Sequence, residues 1–130
     1  MITESAILCV DDEVMILDTL KEQLQRRFGE QYVYETAESA GDALEILEEL
    51  YDSGVRVLVI VSDWLMPGIK GDEFLVQVHQ KFPDIMTIML TGQADDEAVS
   101  RAEEEANLYA CLRKPWRETE LAELISHALR

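Results

Sequence analysis

The chain predicts an α/β fold, a doubly wound five-stranded parallel sheet in the order 2-1-3-4-5. Two observations carry this. Five apolar runs of strand length alternate with stretches of helical period, and four of those runs end on polar residues: Asp11-Asp12, Asp63, Thr91 and Lys114-Pro115. Right-handed crossovers between successive parallel strands favour that strand order, and ligands then bind outside the strands' carboxyl ends.

The first strand is read at Ala6–Val10. From Glu13 a helix carries Leu17, Leu20, Leu24 and Phe28 on one face, and Gly29 stops it. Tyr32–Thr36 is a thinner strand, suited to an edge. Ser39 is placed to cap a helix bearing Ala43, Leu44, Leu47 and Leu50, with Gly54 at its end. The run Val55–Val61 is the most apolar of the strands, with Arg56 its one polar residue, as expected for a central strand covered on both faces. A helix with Phe74, Leu75, Val78 and Phe82 ends before Pro83, and Ile85–Leu90 is the fourth strand. The following helix, over 92–107, has only Ala94, Ala98, Val99, Ala102 and Ala106 as an apolar face, the thinnest of the set. Leu108–Leu112 is the fifth strand. Leu121, Leu124, Ile125, Ala128 and Leu129 line the last helix. The product is a three-layer sandwich of flavodoxin-like type, a single domain over residues 1–130.

At 48% hydrophobic residues, 130 residues suffice for a core. No apolar stretch approaches the roughly 20 residues of a membrane span. The start, Met1 to Ser5, shows no basic segment or signal pattern, which points to the cytoplasm. Eleven Lys and Arg against 27 Asp and Glu give a net charge of −16, which argues against a nucleic-acid grip, since phosphate neutralisation needs a basic patch. Cys9 and Cys111 fall in strands and read as two buried thiols. His79 and His127 lie on different helices, without ligand partners.

The strand order brings Asp11, Asp12, Asp63, Thr91 and Lys114 to one sheet edge. Three carboxylates at close range need a counter-charge. Mg²⁺, or Mn²⁺ in its place, suits such a set: it takes one or two carboxylates and leaves its other positions to water and phosphate oxygens. Lys114 adds a mobile ammonium and Thr91 a hydroxyl donor. A divalent cation and a phosphoryl group fit that constellation.

These residues sit in Val10-Asp11-Asp12-Glu13, Ser62-Asp63-Trp64-Leu65-Met66-Pro67-Gly68, Leu90-Thr91-Gly92 and Lys114-Pro115-Trp116. With them the chain resembles a response regulator receiver domain of two-component signalling, chemotaxis regulators among them, from about Ala6 to Leu129. The resemblance implies that Asp63 accepts a phosphoryl group from a phosphohistidine on a sensor histidine kinase or phosphotransfer protein. It implies that Asp12 ligates the metal directly and Asp11 through water, with Asp63 and the Leu65 backbone carbonyl as further ligands. Thr91 and Lys114 would hold phosphoryl oxygens, and the Lys114–Pro115 bond would be cis. The implied output is a changed partner-binding face on the fourth helix, fifth strand and fifth helix, read by a downstream protein or a fused output domain. Such a domain is a switch that phosphorylates and dephosphorylates itself, not a turnover enzyme.

The chain departs from the family pattern at Cys111, where a Tyr or Phe usually stands three residues before the lysine. Tyr109 lies five before it, so a simple aromatic switch is in doubt, and Cys111 reads as a space-filler. Leu65 and Gln93 occupy positions that influence hydrolysis in the family; Leu65 is expected to shield the acyl phosphate and Gln93 to offset that in part. Lys70 stands where an acidic residue is often found and reads as surface variation. Two rival readings exist. A phosphatase of the haloacid dehalogenase type also uses an aspartate on a doubly wound sheet, but wants Asp-x-Asp after its first strand, and here Asp11 and Asp12 are adjacent. An inert receiver-like scaffold would normally have lost a site residue, and none is missing.

Overall fold

Strands and helices alternate along the chain in the computed structural model, which describes residues 4–92 and 96–129. They are β1 (Ser5–Val10), α1 (Val14–Phe28), β2 (Val33–Ala37), α2 (Ala40–Asp52), β3 (Arg56–Asp63), α3 (Gly71–Lys81), β4 (Met86–Thr91), α4 (Asp96–Glu105), β5 (Ala110–Arg113) and α5 (Glu118–Ala128), with a short 3₁₀ turn at Gly29–Gln31. The strands are all parallel, in the order β2-β1-β3-β4-β5.

Local signals place most boundaries. Gly29 takes φ +64° as the C-cap of α1, a conformation that costs a side chain energy. The Ser39 hydroxyl accepts the Asp42 N–H at 3.1 Å and starts α2. α3 stops at Lys81, one residue before the Phe82–Pro83 pair, since proline disfavours helical backbone in the residue preceding it. β5 is shorter than its apolar run suggests. It begins at Ala110 rather than Leu108, because the Leu108 N–H is spent on the Ala102 carbonyl at 3.1 Å, closing the turn after α4.

Two cores flank the sheet. On one face α1 and α5 bury Leu17, Leu20, Leu24, Leu121 and Ile125 against Ile7, Cys9, Val59, Val61, Ile88, Leu90 and Leu112. On the other, α2, α3 and the α4 region bury Ala43, Leu47, Phe74, Leu75, Val78, Ala102 and Ala106 against Leu8, Val10, Ile60 and Met89. One register shift sets which side chains share a face. Ala6 pairs with Val57 but Ile7 with Val59, so β3 carries an extra residue at Leu58. The bulge flips the alternation of everything after it. Val59 and Val61 therefore join the α1–α5 face, and so does the alternation leading to Asp63. Among the described residues no helix is long and apolar enough to cross a membrane.

Candidate functional site

Asp11, Asp12, Asp63, Thr91 and Lys114 all lie at or just past the carboxyl ends of neighbouring strands. Val10 pairs with Ser62 and Asp63 with Leu90, so Asp11 and Asp63 sit level across β1 and β3. Thr91 pairs with Arg113, which puts Lys114 one step further out on the adjoining strand.

Asp11 is fully buried. One of its carboxylate oxygens accepts the Glu13 N–H at 2.9 Å, the other the Lys114 ammonium at 2.9 Å. Its own N–H donates to the Ala37 carbonyl at 3.1 Å, extending the β1–β2 ladder by one residue. Asp12 is exposed at the mouth. Asp63, the last residue of β3, is 6% exposed, and its Oδ1 lies 3.1 Å from Lys114 Nζ. Oxygens of Asp11, Asp12 and Asp63 fall within 4.8 Å of one another. With all three ionised, two negative charges remain beyond what Lys114 balances.

The electrostatics register that excess. Burial pushes the Asp63 pKa above the ordinary carboxylate value. The Lys114 hydrogen bond and charge pull it down, but the Asp11 and Asp12 charges add to the rise and the net shift is upward. For Lys114, burial acts to lower the pKa, yet hydrogen bonds to Asp11 and Asp63 and their charges outweigh it and hold the ammonium above its ordinary value. A divalent cation fits this donor set: hard oxygen ligands, two of them buried and Asp11 pre-oriented by its hydrogen bonds, with uncancelled negative charge.

Lys114 is fixed from its main chain as well. Its N–H donates to the Thr91 carbonyl at 2.8 Å, and the Lys114–Pro115 peptide is cis, as the resemblance implied. The Trp116 indole beyond it donates to Gln23 Oε1 at 2.8 Å, tying this loop to α1. Thr91 is 6% exposed and accepts from the Cys111 thiol across 3.7 Å.

One reading needs correction. Cys111 is exposed, not buried: it alternates with Leu112, which faces the α1–α5 core, and so points away from that core. Cys9 is buried as expected, and desolvation pushes its pKa up to about 12. Lys70 is exposed, consistent with surface variation, and its ammonium sits 5.4 Å from the centroid of the Trp64 ring. Tyr109 lies before β5, 37% exposed, and the Leu65 side chain is 55% exposed at the rim of the site. Gln93 falls outside the described residues.

The structure adds residues that sequence reasoning passed over. Asp72, in the first turn of α3, is 6% exposed and accepts the Trp64 indole N–H at 3.1 Å. Gly71 packs so closely on the end of β3 that a Cβ there would collide with the Asp63 carbonyl oxygen and lie 2.7 Å from the Trp64 Cα. The one available signal was Trp64 itself, since a part-buried indole N–H needs an acceptor.

Residues 7–126 match the family model described as the response regulator receiver domain. The hydrogenase transcriptional regulatory protein HoxA of Cupriavidus necator is 32% identical over 97% of this chain, and the sensor kinase CckA of Brucella abortus is 32% identical over 96%. The chain spans 24% of the first relative's length and 12% of the second's. Among solved structures, the signal receiver domain of an HD domain-containing protein from Pseudomonas fluorescens Pf-5 superposes with a TM-score of 0.85 at 30% identity, covering 97% of this chain and 94% of that one. A CheY-like receiver domain protein from Methanospirillum hungatei JF-1 gives 0.84 at 31% identity, covering 98% and 94%.

Proposed function

The chain belongs to the response regulator receiver family of two-component signalling, and on that premise we propose that Asp63 is its phosphoacceptor, served by Mg²⁺ (or Mn²⁺), Thr91 and Lys114. The observation that carries this reading is the position of the Lys114 ammonium, 2.9 Å from Asp11 and 3.1 Å from Asp63, at the mouth of a three-carboxylate cluster.

An Asp63 oxygen attacks the phosphorus of a phosphohistidine. The new O–P bond forms as the N–P bond breaks, and the imidazole nitrogen leaves with the electron pair. Phosphoryl transfer asks the protein mainly for placement and for neutralisation of the equatorial oxygens. Lys114, already anchored to Asp11, is placed to neutralise one oxygen, and the Thr91 hydroxyl to donate to another once it turns from Cys111. Asp11, Asp12, Asp63 and the Leu65 carbonyl would hold the cation, which when bound supplies the remaining charge neutralisation. Partners are a sensor histidine kinase or phosphotransfer protein upstream and a downstream protein or fused output domain, met through the α4–β5–α5 face in the cytoplasm.

Acetyl phosphate with Mg²⁺ should add one phosphoryl group to the intact chain, read as a mass shift. Asp63→Ala should abolish it, and omission of Mg²⁺ should do the same. Labelling that persists in Asp63→Ala would overturn the assignment.

A further inference from the structure

The residue after the acceptor is held harder than its place in a loop requires. The Trp64 N–H donates to the Leu90 carbonyl at 3.0 Å, continuing the β3–β4 ladder beyond the last strand residue. Its carbonyl accepts the Gly71 N–H at 2.7 Å, which closes residues 64–71 into a loop whose two ends touch. Its indole N–H donates to Asp72 at 3.1 Å, and Lys70 covers the ring. The main chain of Asp63 is the surface on which Gly71 rests.

Asp72 is an unusual partner for this task. A buried carboxylate is costly unless compensated. Its place in the first turn of α3 supplies part of that compensation through the helix N-terminus, and the indole hydrogen bond supplies more.

We propose that the Trp64–Asp72 hydrogen bond is a clasp that positions Asp63, joining the acceptor strand to the start of α3 so that the acceptor carboxylate and the Leu65 carbonyl keep a fixed relation. The inference rests on the reading of Asp63 as phosphoacceptor. Asp72 and Trp64 act here as positioning residues, touching neither phosphorus nor metal.

The test uses the full chain and four variants: Asp72→Asn, Asp72→Ala, Trp64→Phe and the double Trp64→Phe/Asp72→Ala. Each is labelled with acetyl phosphate at saturating Mg²⁺, followed by intact mass, alongside amide hydrogen exchange at Gly71. Misplacement of a reacting group by about 1 Å costs on the order of a hundredfold in rate, so partial loosening in Asp72→Ala or Trp64→Phe should slow labelling about tenfold. The half-saturating acetyl phosphate concentration should not move. The double variant should be no slower than either single, because both remove the same bond. Asp72→Asn keeps an acceptor oxygen and should label within about twofold of the parent. Gly71 exchange should rise in Asp72→Ala and not in Asp72→Asn.

Parental rates in Asp72→Ala and Trp64→Phe, additive losses in the double, or an Asp72→Asn loss as deep as that of Asp72→Ala would overturn the clasp. Should Asp72→Ala not fold, Trp64→Phe and Asp72→Asn decide the matter. A parent chain that takes no phosphoryl group defeats the phosphoacceptor reading instead, and unchanged Gly71 exchange in Asp72→Ala then defeats the clasp on its own.

Discussion

The α1 side of the sheet and the α4 quarter are built to different standards. α1 sets Leu17, Leu20 and Leu24 into a core of Ile, Val and Leu side chains. α4 sends Ala102 inward, with Ala106 just past its end and Val99 half-buried. Beneath that side, Thr87 on β4 is 1% exposed and its hydroxyl finds no partner among the described residues. β5, the edge strand there, is four residues long and buries only Leu112. At about 0.8 kcal/mol per buried methylene, an alanine face anchors a helix far less firmly than a leucine face. The weakly anchored part is the one that adjoins Thr91 and Cys111, where a switch needs alternatives close in energy. The contrast teaches that packing strength is unevenly divided across this fold, and that the proposed switching face coincides with its weaker part.

The contrast breaks most readily at its strong end. Leu20→Ala should cost about 2–5 kcal/mol of unfolding free energy, whereas Ala102→Gly should cost only about 1 kcal/mol. Urea unfolding of both variants measures this, and equal losses would erase the distinction.

The charged edge where the two regions meet comes next. Since the Asp63 pKa is raised in the folded state, its stabilising form is the protonated one. That contribution is present below the ordinary carboxylate pKa and is lost as pH rises through the raised value, so at neutral pH the ionised group works against folding. Without metal, Asp63→Asn should therefore gain about 1–2 kcal/mol at neutral pH, roughly 4–8 °C in Tm. The gain should shrink as pH falls toward the ordinary carboxylate range. A gain that is constant with pH would show that charge is not its source.

Thr87→Val sharpens the weak end, because it removes a buried hydroxyl that has no partner among the described residues and keeps the shape. It should stabilise by about 1 kcal/mol in thermal melts. A loss instead would mean that the hydroxyl is satisfied and that the α4 side is better built than it looks.

The smallest effect concerns the thiols, one on each side of the contrast. Cys9 is buried in the α1–α5 core with a pKa of about 12, so it stays protonated and shielded at neutral pH, while Cys111 is exposed. Iodoacetamide should add a single mass increment, at Cys111, with little change in Tm. Cys9 is stabilising as the neutral thiol, a contribution present below about pH 9 and lost as pH rises towards 12. Labelling of Cys9 in the native chain at neutral pH would contradict its burial.

Much of this was legible in the residues. The leucine spacing of α1, the Ser39 cap and the glycine stop at Gly29 each act within a few residues, and each appears in the structure. The gathering of Asp11, Asp63, Thr91 and Lys114 was legible too, because parallel strands put all their carboxyl ends at one edge whatever lies between them. The exposure of Cys111 was not. An apolar run says that a strand is buried, but β5 is an edge strand with one face on the α1–α5 core and the other open.

The sequence by itself determined the element order, the strand order and the identity of the residues at the sheet edge, since periodicity, capping and crossover handedness are local or topological rules. The tertiary structure alone decided the faces and the fine placement. Val55–Val61 is apolar at nearly every position, so no alternation could announce the extra residue at Leu58 that sets the phase of β3. Likewise, nothing between Trp64 and Asp72 announces that an indole eight residues away will meet that carboxylate. Their meeting depends on how closely Gly71 lets α3 approach the end of β3, and that distance is set by packing, not by sequence pattern.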